Sequence, residues 1–366
     1  MCCDERREGW NLPDRHCAPG LKLLPRGQYP KKPGPPTDCI DLDKISLMNS
    51  VVLRGWVMTA LLGLAAGAVP AQPAPAVPAM QSRSVSPHAY YVEGLSALGS
   101  PANQNFISNA GYVVTRDGVV VIDALGSPAL AARLIDDIRR QTGQRVTHVI
   151  VTHYHADHIY GLQAFKAAGA RIIAHRAARE YLFSDTARLR LEASRTELAP
   201  WVDAQTRLVE ADEWLDGPRD LVVGGVTLQI RPVGPSHTPE DLVVYVPQDK
   251  VLFAGDLVFR NRVPFVGQAD SRQWIRALDQ LLAFDTVAIV PGHGPLSTQA
   301  RQDMQLTRDY LAYLRRVMGE AARNMEPFDD AYKAADWSAF EHLPLFGPAN
   351  RMNAYNTYLL MERETP

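Results

Sequence analysis

Residues 149–161 read VIVTHYHADHIYG. Three histidines and one aspartate, His153, His155, His158 and Asp157, fall within six residues, directly after an apolar, β-branched run. Such a run reads as a buried strand. The cluster that follows is either the ligand set of a metal ion or a polar strand end that happens to be rich in histidine. A metal site needs more ligands from elsewhere, so the rest of the chain decides. On an extended backbone, residues i and i+2 face the same way. His153 and His155 can therefore share one ion, while Asp157 and His158, past the bend, aim at a neighbouring one.

Three further stretches place a candidate ligand at or near a strand end. GPSHTPEDLVVY puts His237 in a Gly/Pro/Ser-rich turn between two strands. VLFAGDLVF puts Asp256 just after a strand over residues 251–254. AIVPGHGP puts His293 just after a strand over 287–290, between two glycines. Loops at one edge of a sheet converge and carry sites. Together the seven residues supply five imidazoles and two carboxylates, enough for two borderline divalent ions, with Asp256 able to bridge. Imidazole plus carboxylate suits zinc or iron.

The 366-residue chain carries a net charge of −2, no signature of a nucleic-acid or membrane-surface binder. All four cysteines, Cys2, Cys3, Cys17 and Cys39, lie within residues 1–47, a proline-rich stretch without helix or strand period. It reads as disordered, or as an upstream extension of the reading frame with the true start at Met48. A Cys/His knuckle using His16 fits no usual zinc spacing. From Met48, one basic residue (Arg54), an apolar core over 57–69 and Val-Pro-Ala before Gln72 form the layout of a signal peptide cleaved after Ala71. The core is shorter than the ~20 apolar residues of a comfortable membrane span. Cleavage would leave a cysteine-free, more acidic chain in the periplasm or outside the cell, without stable membrane insertion. It would offer no thiolate to a metal. Residues 72–88, rich in Ala, Pro, Gln and Ser, read as a flexible tether.

From residue 89 to 366 the pattern is that of one domain with a helical C-terminal extension. Hairpins are expected over Arg116-Asp117-Gly118, Gly224-Gly225 and residues 247–250. Helices are expected over 128–142, 161–168, 176–198, 271–282, 299–318 and 350–362. Strand–helix units follow a hairpin in each half, which predicts an α+β protein with two β-rich layers and helices outside.

THYHADH, HTPED, FAGD and PGHGP resemble, in order and spacing, the metal-binding motifs of the metallo-β-lactamase superfamily, over roughly residues 90–295. The resemblance implies an αββα four-layer sandwich with a dinuclear site at one edge. It implies that His153, His155 and His237 hold the first metal, Asp157, His158 and His293 the second, and that Asp256 bridges. Asp256 stands where true β-lactamases usually have Cys or Ser, and is more similar to glyoxalase II and lactonases. His155 stands where flavodiiron proteins have Glu. The stretch after Asp256, with the signal peptide, looks most like the periplasmic quinoprotein relay system zinc metallohydrolase branch.

The expectation is a periplasmic or secreted hydrolase with two Zn²⁺ per chain (iron or manganese are possible). It would cleave an ester, thioester, lactone or lactam in a small-molecule substrate, with Asp157 as the catalytic residue. Alternatives are β-lactamase activity, a mononuclear iron persulfide dioxygenase, and an accessory protein of a quinoprotein oxidation system. Arg260 and Arg262 can clamp a substrate carboxylate or be structurally paired. Tyr154 should point away from the metals. Tyr355 and Tyr358 fit core packing better than a cap. His148 and His175 lie near the site without ligand spacing.

Overall fold

The structure, a computed structural model, describes residues 80–364. The expectations for the upstream extension, the signal peptide and most of the tether lie outside the described residues. Among the described residues no helix is long and apolar enough to cross a membrane.

The elements run in this order: β1 (Arg83–Ser84), β2 (Ala89–Val92), β3 (Ala110–Thr115), β4 (Gly118–Ile122), α1 (Pro128–Thr142), β5 (Val146–Ile150), α2 (Ala156–Ile159), α3 (Leu162–Ala167), β6 (Arg171–His175), α4 (Ala178–Leu182), α5 (Asp185–Glu197) and β7 (Glu213–Leu215). The second half follows with β8 (Arg219–Val223), β9 (Val226–Pro232), β10 (Leu242–Val246), β11 (Val251–Phe259), α6 (Ser271–Leu281), β12 (Ala288–His293), α7 (Ala300–Arg323), α8 (Phe328–Ala334) and α9 (Phe346–Glu364). One sheet has the order β1-β2-β3-β4-β5-β6-β7, the other β12-β11-β10-β9-β8.

The strand period explains the layers. In β4, Val119 and Val121 face α1 and α3, where Leu130, Leu134, Ile138 and Phe165 meet them. Val120 and Ile122, on the opposite side, meet Leu228, Val244 and Phe253 of the second sheet. The outer face of that sheet, through Val243, Leu252 and Ile289, receives Trp274, Leu278, Leu311 and Leu314 of α6 and α7. Side chains alternate across a strand, so each sheet has two apolar faces to cover. The outcome is the expected α+β sandwich of four layers, helix–sheet–sheet–helix.

Several expectations are corrected. The single helix over 176–198 is two, because Ser184 adopts an extended backbone and its side chain caps α5 by accepting from Ala187 N. Asp256 and His293 lie inside β11 and β12 rather than after them. Register shifts around Gly255, where φ is +52°, mark a bulge that a residue pattern does not reveal. Residues 80–88 of the expected tether are docked. Arg83 and Ser84 pair with Tyr91 and Tyr90, and His88 N donates to Asp249 Oδ2 at 3.0 Å. The strand β7 and helix α8 were not foreseen, since each is too short to show a period.

Candidate metal centre

All seven predicted side chains come together where the two sheets' loops meet. His153 and His155 occupy the turn between β5 and α2, with His155 extended at the N-cap position of α2. Asp157 and His158 sit in α2 itself. His237 lies in the β9–β10 turn, which Asp241 closes by accepting from Thr238 N (2.7 Å) and Thr238 Oγ1 (2.8 Å). Leu242 N donates to Thr152 O at 3.0 Å and ties that turn to the first motif. Asp256 and His293 come from the neighbouring parallel strands β11 and β12. Their close approach depends on Gly292, since a Cβ there would lie 2.0 Å from Asp256 Oδ1.

The side chains fall into two groups whose ligand atoms lie within 4.8 Å of one another: His153, His155, His237 and Asp256; and Asp157, His158 and His293. Asp256 reaches both. Its Oδ2 is 3.5 Å from His237 Nε2 and 3.8 Å from His153 Nε2, while its two oxygens lie 3.2 Å from His158 Nε2 and 3.3 Å from His293 Nε2. Asp157 Oδ2 is 3.3 Å from His293 Nε2. His155 faces the cluster with Nδ1, the other four histidines with Nε2.

The residues fit divalent cations. His153 Nε2, His158 Nε2 and Asp256 Oδ1 are buried and make no hydrogen bond. His155 Nδ1 and His237 Nε2 face each other at 3.0 Å. Burial drives the His153 pKa well below its ordinary range, helped by neighbouring His158. Burial and His155 push His237 down to about 3. These rings are neutral at pH 7 and present lone pairs, the form a metal requires. At His158 and His293 burial acts in the same direction, but the carboxylates of Asp256 and Asp157 overcome it and raise both. The same imidazoles hold Asp157 and Asp256 below the usual carboxylate range against their burial. The centre thus calls for positive charge among its oxygens.

Residues not foreseen from sequence orient this cluster. Asp123, which follows β4, accepts from His158 Nδ1 at 2.9 Å. Asn109 donates to Pro291 O and Gly294 O, both at 2.8 Å, and so holds the loop that carries His293. Ile107 O accepts from His293 Nδ1 at 2.7 Å. The one available signal was an acid ending the apolar run VVVID. Tyr154 points away from the centre, its hydroxyl on Val209 O at 3.2 Å. Tyr355 packs against Phe328, and Tyr358 donates to Glu326 O. Neither residue lies at the site. His148 and His175 are outside both groups.

A cavity of about 560 Å³ opens over the cluster, and Asp157, Asp256 and His293 reach its wall. Tyr181, Thr186, Arg190, Leu198, Arg262 and Phe265 also line it. Residues 97–99, Asn105 and Ile107 complete it and were not foreseen.

A family model for the metallo-beta-lactamase superfamily matches residues 104–293. The chain belongs to this superfamily. It is 26% identical to a linear primary-alkylsulfatase of Pseudomonas sp. (strain ATCC 19151), over 54% of this chain and 44% of that relative. It is 28% identical to a metallo-beta-lactamase type 2 of Elizabethkingia meningoseptica, over 51% of this chain and 69% of the relative. A metallo-beta-lactamase from Pontibacter korlensis aligns with 64% of this chain and 99% of its own, at TM-score 0.51 and 23% identity. The sec-alkylsulfatase Pisa1 from Pseudomonas sp. aligns with 77% of this chain and 50% of its own, at TM-score 0.60 and 18% identity. The chain therefore spans less than half the length of the curated alkylsulfatase. The structural likenesses are likenesses of fold.

Proposed function

We propose that this superfamily member is a periplasmic or secreted hydrolase with two divalent cations, zinc by its donor set, acting on a small-molecule ester, thioester, lactone, lactam or sulfate ester. His153, His155 and His237 would hold one ion, Asp157, His158 and His293 the other, with Asp256 shared between them. The observation that carries this is the convergence of five imidazoles and two carboxylates around three buried, hydrogen-bond-free ligand atoms. Buried polar atoms are costly when unpaired, and cations would satisfy them together. Imidazole with carboxylate and no thiolate suits zinc. Bound there, the cations would supply water activation and Lewis-acid polarisation of the scissile group.

The chain's own residues have separate tasks. Asp157, ionised and facing the cavity, accepts a hydrogen bond from the attacking water and can pass that proton to the leaving group. Asp123 and Ile107 O fix the rings of His158 and His293. Phe265 and Leu198 line the cavity with apolar surface and limit water around the reacting bond. Secretion is supported by the signal-peptide layout of residues 48–71. Sulfate esters join the candidates because one relative is an alkylsulfatase.

The test is metal content by elemental analysis together with a hydrolysis panel: a lactone, a glutathione thioester, a β-lactam, an aryl ester and an alkyl sulfate. Two zincs per chain and turnover of one class support the reading. A single iron would favour the dioxygenase chemistry, and no turnover with full metal loading would favour an accessory role.

A further inference from the structure

We infer that the substrate carries a hydrogen-bond donor, an amide N–H or a hydroxyl, next to an apolar group, and that Asn105 Oδ1 accepts from it. The inference rests on the hydrolase reading and names the class of substrate for that same site.

The cavity wall between β2 and β3 is made by Ala97, Leu98, Gly99, Asn105 and Ile107. Among these five, Asn105 supplies the one polar side chain, and it is 4% exposed. Its Nδ2 donates to Gly126 O at 3.0 Å. That bond fixes the amide, because an oxygen turned the same way would meet another acceptor. Its Oδ1 accepts from no described residue. Unlike His153 Nε2 or Asp256 Oδ1, this atom is not shut off from the accessible surface. It lies against Gly99, where a Cβ would stand 2.2 Å from it. Both residues border the cavity, so the free lone pairs open onto it.

Backbone and glycines are arranged around this amide. Gln104 and Asn105 both have a φ of +59°, in the left-handed region that a glutamine rarely adopts. Such conformations persist where the surroundings over-determine them, and they cluster at ligand sites. Here Arg133 Nη2 donates to Gln104 Oε1 at 2.7 Å, and Asn105 N donates to Asn103 Oδ1 at 3.0 Å. A Cβ at Gly126 would stand 2.4 Å from Asn105 Nδ2. Glycines at 99 and 126 thus leave the room that the amide occupies. Ile107 O, two residues on, accepts from His293 Nδ1, so the acceptor has a fixed place relative to the metal cluster. A ligand without a donor would leave Oδ1 unpaired on an apolar wall, and a ligand with one gains by the difference. Leu98 and Ile107 beside it receive the apolar group. Of the candidate classes, a lactone, lactam or thioester with an acylamino or hydroxyl substituent fits this wall. A plain alkyl sulfate or aryl ester offers Asn105 nothing.

The experiment is NMR titration of the zinc-loaded full chain with two matched pairs of uncleaved probes. N-ethylbutanamide is paired with 4-heptanone, which replaces the N–H by a methylene. Hexan-1-ol is paired with its isomer methyl pentyl ether. Wild type is compared with Asn105→Gly, which tolerates the left-handed backbone, and with Gly99→Ala, whose Cβ displaces Oδ1. In both variants the preference for the donor-bearing member of at least one pair should fall about 5–10-fold, the low end of the worth of a buried acceptor that loses its donor. Binding of the ketone and the ether should not change, nor should zinc content. The pair that responds tells an amide from a hydroxyl. A preference that neither variant alters, equal weakening of both members of each pair, or no saturable binding of either donor-bearing probe overturns the inference. Should Asn105→Gly fail to fold, Gly99→Ala carries the test. Donor preference that depends on Asn105 in a chain that hydrolyses nothing would sink the hydrolase reading alone. Turnover by a chain whose variants keep the preference would sink the role of Asn105 alone.

Discussion

His158 donates its Nδ1 hydrogen to Asp123 Oδ2 across 2.9 Å, and this bond turns its Nε2 toward Asp256. Asp123 also accepts from Thr152 N and Thr152 Oγ1, both at 2.8 Å. Thr152 Oγ1 in turn stands 3.0 Å from His153 Nδ1. One carboxylate after β4 therefore orients an imidazole from each group of the cluster.

Asp123→Asn tests that arrangement. The residue has a φ of +65°, a conformation asparagine tolerates, so the backbone should hold. The amide cannot accept all three hydrogen bonds. Metal affinity should fall about 10–100-fold, as for other residues that orient metal ligands. Chelator competition measures it, with circular dichroism as the check on folding. Unchanged affinity would remove Asp123 from the site.

The candidate metal cluster was legible in the sequence because its residues follow apolar runs or stand in glycine- and proline-rich turns, although Asp256 falls within β11 and Asp157 and His158 within α2. The layers were legible because β4 and β10 are apolar throughout, as strands covered on both faces must be. What was not legible depends on partners far along the chain. Asp123 acquires its role only when β4 pairs with β5. The docking of residues 80–88 depends on Asp137 and Asp249. The cavity wall at 97–107 has no period to read. The bulge at Gly255 that places Asp256 within β11 is a property of strand pairing.

Asp157→Asn should preserve the fold and remove most of the activity. The Asp157 carboxyl is held well below the usual range because His158 and His293 outweigh its burial, so it is ionised at pH 7. Its side chain is 16% exposed, against 4% or less for His153, His158, His237, Asp256 and His293, and it reaches the cavity. An amide cannot take a proton. The kcat on the best substrate of the panel should fall about 10²–10⁴-fold, the usual worth of a positioned acid–base group. Near-full turnover by the variant would refute the role.

Asn353 joins the C-terminal helices to the cavity. Its Oδ1 accepts from Val266 N at 2.9 Å and its Nδ2 donates to Pro264 O at 2.7 Å, which clamps the segment that carries Phe265. Tyr310 Oη, 2.9 Å from Nδ2, steadies the amide from α7. Asn353→Ala leaves those buried backbone groups unpaired, a loss of about 1–3 kcal/mol each. The melting temperature should drop and KM should rise more than kcat falls, because the metal ligands are untouched. Thermal unfolding and steady-state kinetics read the two effects. An unaltered KM in a destabilised variant would make the clamp purely structural.

Docking of residues 80–88 should depend on acid pH. At Asp249 burial raises the pKa, but Ser86 and His88 outweigh it, and the folded value is depressed. At Asp137 burial is likewise outweighed, by Ser82 and Arg140. A depressed carboxyl contributes stability that is present above its unfolded pKa, about 3.9, and is lost as pH falls through the folded value. Amide hydrogen exchange of residues 82–92, corrected for intrinsic rates, should therefore show protection at pH 6 that declines below pH 4. Asp249→Asn should reduce protection already at pH 6 and flatten the decline. Equal protection in variant and wild type across that range would mean that strand pairing of β1 with β2 alone holds the segment.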